Sequence, residues 1–98
     1  MAPAPRRLSD DEVAAALTTL DGWRLYDGKL SRGFVFADFV EAIGFMMRVA
    51  ICAQALDHHP NWSNVYKTVQ VELWTHDAGG ITSLDVQLAS KMNELAGQ

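Results

Sequence analysis

The chain has three histidines, all between His58 and His76: the run Asp57-His58-His59-Pro60 and, later, Thr75-His76-Asp77. Imidazole has an unperturbed pKa of about 6.5, so it gives or takes a proton near neutrality. An acidic protein with its whole stock of such groups in one segment points to proton transfer. Trp62, Tyr66 and Trp74 lie in the same segment and supply aromatic surface for a ligand.

Each histidine also has an ordinary reading. His58 suits the C-terminal end of a helix dipole, His59 a loop and His76 a strand end. Their joint placement favours a site. A zinc centre is the rival, built from the three histidines or from two with Asp57 or Asp77. Adjacent residues in extended chain point to opposite sides, which makes His58 and His59 awkward joint ligands, and the spacing matches no standard zinc pattern. Nucleophilic catalysis is weaker: Cys52 falls within a long apolar helix, where it acts as a small hydrophobe. Ser63 and Ser83 lack a G-x-S-x-G context.

The elements that must position these residues follow from local patterns. Ser9-Asp10-Asp11-Glu12 is a capping box opening a first helix, with Val13, Leu17 and Leu20 on one face and Gly22 ending it. Trp23–Tyr26 and Lys29–Phe36 form a hairpin through Asp27-Gly28, because both central positions of a type I′ turn need positive φ. Arg32 interrupts the alternation of Leu30, Phe34 and Phe36. Asp38 caps a long helix to about Leu56, with Phe39, Ile43, Met46 or Met47, Ala50 and Ile51 as its apolar stripe. Gly44 within it leaves room for another backbone. Pro60 disfavours helical geometry at His59, so this helix ends near Asp57.

Trp62–Tyr66 and Val69–Thr75 form a second hairpin through Lys67-Thr68. It returns His76 toward His58 and His59. Thr82-Ser83-Leu84-Asp85 is another capping box, and opens a last helix along Leu84, Leu88, Met92 and Leu95. Asp85 sits where a capping acid belongs, and from there it can hold the preceding loop and His76. The expected fold is α+β, in the order α-β-β-α-β-β-α, with a four-stranded antiparallel sheet and helices packed on one face. Strand order stays open.

Bulk properties narrow the class. A length of 98 residues fits a single domain over 1–98, with residues 1–7 a loose tail. An apolar share of 49% fits a globular chain. A net charge of −4 argues against a nucleic-acid partner. No stretch reads as a membrane span or secretory signal, and one lone cysteine fits a reducing cytoplasm.

The segment DHHPNWSNVY, followed by WTHDAGG, resembles the pterin-4a-carbinolamine dehydratases, whose mammalian members double as a dimerisation cofactor of a homeodomain transcription factor. The family pattern is an acidic residue, three residues, His-His-Pro, a short spacer, an aromatic, nine residues, a histidine, then a downstream Asp. Here it falls on Gln54, His58-His59-Pro60, Tyr66, His76 and Asp85. LSDDE, Trp23, Phe36-x-Asp38-Phe39, Gly44-Phe45-Met46 and Leu88-Ala89-Ser90 extend the similarity from about Leu8 to Leu95.

The resemblance implies dehydration of 4a-hydroxytetrahydropterin to quinonoid dihydropterin, in recycling the cofactor of aromatic amino acid hydroxylases. His58 and His76 become the acid/base pair. Asp57, His59, Trp74 and Thr75 become pterin-binding residues, with Gln54, Trp62, Tyr66 and Asp85 in support. No metal or organic cofactor is implied, and homodimers or homotetramers are. Gln54 departs from the usual Glu: an amide cannot carry the charge. The alternative is an oligomerisation or regulatory module that keeps the fold and binds a protein partner.

Overall fold

The structure, a computed structural model, describes residues 5–97. Helix α1 spans Asp10–Leu17, β1 Arg24–Tyr26, β2 Lys29–Val35, α2 Phe39–Leu56, β3 Asn61–Val65, β4 Thr68–Leu73 and α3 Ser83–Ala96, with a short 3-10 helix at His76–Ala78. The element order is the one expected. The sheet is wholly antiparallel, in the order β1-β2-β4-β3.

Local chemistry explains most boundaries. Ser9 and Glu12 form the expected capping box. The helix stops at Leu17 rather than running to Gly22, because Thr18 and Thr19 turn their hydroxyls back onto the carbonyls of Ala15 and Ala16. Leu20 still reaches the core, from a turn. Asp27 and Gly28 have φ of 52° and 74°, as the tight β1–β2 turn demands. The β3–β4 turn falls on Tyr66 and Lys67, one residue earlier than expected.

Leu30, Phe34, Val69, Val71 and Leu73 carry the inner face of the sheet, against Phe45, Val49, Leu88 and Met92 from α2 and α3. Phe34 lies at the centre of the aromatic packing, 4.9 Å from Phe45 and 5.9 Å from Trp23 between ring centroids. Arg32, the break in the β2 pattern, lays its guanidinium 4.2 Å over the Phe34 ring and donates to Asp21 O and Asn93 Oδ1. Burial pushes its pKa down, against the pull of Asp21.

The face of α2 differs from expectation. Its buried residues are Ala42, Phe45, Val49 and Ala53. Phe39, Val40, Ile43, Met47 and Ile51 are exposed, Val40 by 78% and Ile51 by 71%. The helix is apolar on more than one side, so a 3.6-residue period fits two stripes. By length and composition α2 is apolar enough to cross a membrane, contrary to the sequence reading, with a mean hydropathy of 1.6. One of its faces nevertheless packs into the core beside α3 and β4.

Of the segment expected as a loose tail, residues 1–4 lie outside the described residues. Arg6 pairs with Glu12 at 2.8 Å, and Leu8 N–H donates to Ile81 O.

Candidate active site

The end of α2 separates the two neighbouring histidines. Asp57 takes a left-handed conformation, φ 51°. Its N–H donates to Gln54 O, and His58 N–H reaches back to Ala53 O at 3.1 Å. This paired closure satisfies the last helical carbonyls and turns the chain sharply into β3. Asp occupies the left-handed region more readily than most side chains, because its short carboxylate bonds locally.

His58 turns inward. Its Nε2 lies 2.5 Å from Asp85 Oδ1, and Asp85 is fully buried in the first turn of α3. Asp85 Oδ2 accepts from Thr75 Oγ1 and from Thr82 N–H, each at 2.9 Å. The hydroxyls of Thr75 and Thr82 are 2.7 Å apart. A buried carboxylate needs this density of donors, since an unpaired one costs several kcal/mol. With Asp85 ionised, Nε2 of His58 carries the proton and Nδ1 holds the lone pair. Among the described residues no buried side-chain nitrogen or oxygen lacks a partner. Nδ1 has no protein partner there, so it keeps contact with solvent.

His59 turns outward. With Asn61, Trp62, Trp74, His76 and Pro60 it lines an open cavity of about 360 Å³. Gln54 Oε1 meets His59 Nε2 at 3.1 Å. The β3–β4 pairing returns His76, in its 3-10 turn, to the start of β3, as the hairpin argument required. Lys29 of β2 lies 4.4 Å over the Trp74 ring, a cation–π contact that holds this wall.

The expected site residues therefore fall into groups. His59, Trp62, Trp74 and His76 share the cavity, and Gln54 touches it through His59. His58, Thr75 and Asp85 form the buried network. Asp57 is an exposed helix cap whose contribution is its backbone. Tyr66 is not part of the cavity: it sits in the turn at the opposite end of the β3–β4 hairpin, with φ 53°. Sequence reasoning missed Asn61 and Lys29, and gave Pro60 only a helix-stop and motif position and Thr82 only a helix cap, not a place in the cavity or the buried network. Asn61 follows His-His-Pro directly and faces Glu72 in register, a usable signal. Lys29 was hidden because β2–β4 pairing is non-local. Among the described residues no group of three or more His, Cys, Asp or Glu side chains is arranged to hold a metal ion.

Comparison with known proteins gives one consistent answer. Residues 6–95 match the family described as Pterin 4 alpha carbinolamine dehydratase. A protein of Afipia carboxidovorans, named "Putative pterin-4-alpha-carbinolamine dehydratase", is 58% identical over 93 residues, covering 93% of each chain. One of the same name from Rhodopseudomonas palustris is 55% identical over 94 residues, 94% of this chain and 93% of the relative. A crystal structure from Brucella melitensis, described as a transcriptional coactivator/pterin dehydratase, superposes with a TM-score of 0.91 at 48% identity, over 94% of this chain and all of the other.

Proposed function

The chain belongs to the pterin-4a-carbinolamine dehydratase family, and from that premise we propose that it dehydrates 4a-hydroxytetrahydropterin to quinonoid dihydropterin. The reaction removes water across C4a–N5. A base takes the N5 proton, the C4a–O bond breaks as an acid protonates the departing hydroxyl, and a C4a=N5 double bond remains. The elimination is redox-neutral, and positioned imidazoles meet its demands for proton transfer, each worth about 10²–10⁴-fold.

The observation that carries this reading is the cavity lined by His59, His76, Trp62 and Trp74, with the residue just before His59, His58, held by a buried carboxylate. Trp62 and Trp74 suit a flat bicyclic ring. His58 and His76 act as the acid/base pair. The Asp85 carboxylate fixes the His58 tautomer and leaves Nδ1 as the reactive nitrogen, the logic by which a buried Asp orients a catalytic histidine. His59 orients the pterin. Gln54 acts on His59 rather than on His58, so loss of the usual Glu charge weakens binding rather than proton transfer. The reaction sits in a reducing cytoplasm, where the lone Cys52 stays a thiol.

The test is to generate the carbinolamine with an aromatic amino acid hydroxylase and follow its dehydration by absorbance. The protein should accelerate it well beyond buffer; a rate equal to buffer would sink the reading.

The exposed stripe of α2 supports a homodimer or homotetramer joined through that helix. It is also the observation favouring the second reading, an interaction module that binds a protein partner. Sedimentation of wild type and Ile51→Glu separates them: a shift to monomer in the variant supports self-association, whereas a monomeric wild type favours the partner.

A further inference from the structure

A second cavity, of about 260 Å³, continues from the first and shares Asn61 and Trp62 with it. It runs across the face of the sheet opposite the helices. Register explains its composition. Arg24 pairs with Ser31, Ser31 with Glu72 and Glu72 with Asn61, so one polar residue from each strand forms a row across all four. Their sequence neighbours Leu30, Val71 and Leu73 point the other way and are buried. Gln70 lies flat across β2 at Gly33, where a Cβ would come 2.9 Å from its amide nitrogen. The groove is therefore lined by amide and hydroxyl groups together with the charged Arg24 and Glu72.

We propose that this groove holds the hydroxyl-bearing substituent at C6 of the pterin, which makes Arg24, Gln70 and Glu72 specificity-determining residues. The inference rests on the dehydratase reading above and extends it. C6 is bonded to N5, so a ring placed with N5 and C4a toward the histidines sends its C6 substituent out beside them. The shared wall at Asn61 and Trp62 leads that substituent into the groove. Charge selects its chemistry. Arg24 and Glu72 lie in the same row with opposite sign, which fits a neutral polyhydroxy chain; Glu72 in mid-row repels a phosphate or carboxylate. Donors and acceptors alternate along the row, as a chain of hydroxyls requires.

The experiment compares two carbinolamines, one bearing a dihydroxypropyl group at C6 and one a methyl. Wild type should show the lower KM for the hydroxylated substrate. In Arg24→Ala and Gln70→Ala, both at exposed positions, the KM ratio between the two substrates should fall by about three- to tenfold, the size of one or two lost hydrogen bonds. An unchanged ratio in both variants, with dehydration intact, overturns the subsite and leaves the dehydratase reading standing. Tryptophan fluorescence with the corresponding non-reacting 7,8-dihydropterins separates the two ideas. Preference for the hydroxylated ligand, lost in the variants but without any dehydration in wild type, supports the groove and overturns the activity. Failure to bind either ligand overturns both.

Discussion

The same capping box opens α1 and α3, and in both the acidic residue also meets a basic side chain. In α1, Ser9 and Glu12 cap the helix and Glu12 pairs with Arg6; those side chains are 42% and 68% exposed. In α3, Thr82 and Asp85 cap the helix and Asp85 pairs with His58; those side chains are 0% and 10% exposed. The covalent pattern is nearly identical, and the surroundings make the difference. In water the first pair contributes marginally, because both partners have good alternatives. Under the sheet the second pair has none. Burial thus turns a helix start into a fixed carboxylate that dictates which nitrogen of His58 is free.

The largest effect should come from emptying the buried box. Asp85→Ala leaves His58, Thr75 and Thr82 without their acceptor and should cost about 3–5 kcal/mol in urea unfolding. Glu12→Ala should barely move the urea midpoint. Comparable shifts in the two would break the contrast.

Next comes chemistry. Asp85→Asn keeps the shape but releases the tautomer, and His58→Gln removes the imidazole. Each should lower kcat on the order of 10²-fold or more, with the fold checked by circular dichroism. A fully active Asp85→Asn would show that the buried box is only a cap.

A smaller effect belongs to the outward histidine. His59→Ala should raise KM with kcat little changed, as expected for a group that binds ground and transition states alike. Gln54→Glu should lower KM by a few-fold by restoring a charge beside His59. Steady-state kinetics on the two variants tests both, and a kcat loss in His59→Ala matching that of His58→Gln would reverse their roles.

The smallest effect is a pH dependence. The hydrogen bond from Arg6, helped by Ser9 N–H, holds the Glu12 carboxyl at about 2, against an ordinary 4.5. A lowered folded-state pKa means that the contribution is complete above 4.5 and is lost as pH falls from 4.5 toward 2. Glu12→Gln should flatten that part of the stability profile slightly, and high salt should do the same to wild type. Acid titrations of unfolding midpoint would reveal it.

Much of this was legible in the sequence because it is local. Capping boxes at Ser9 and Thr82, the turn at Asp27-Gly28 and the stop before Pro60 involve neighbours within a few residues, and all formed as expected. What failed was non-local. The sequence of α2 offers two apolar stripes, and nothing in Phe39 or Ile51 says that Ala42 and Phe45 face the sheet instead. Strand order could not be derived, so neither Lys29 over Trp74 nor the row from Arg24 to Asn61 could be foreseen. For the histidines, alternation correctly implied that His58 and His59 face opposite ways. It could not say which one meets Asp85, since that depends on where α3 docks.

The β3–β4 hairpin also makes one half of the site local in sequence and leaves the other non-local. His59 and His76 are brought to the cavity by one hairpin with a two-residue turn, and hairpins close in about 1–10 μs. His58 and Asp85 meet only when α3 has packed against α2. The two halves of the site therefore differ in how local they are: one hairpin closes the first, whereas 27 residues separate His58 from Asp85 in the second.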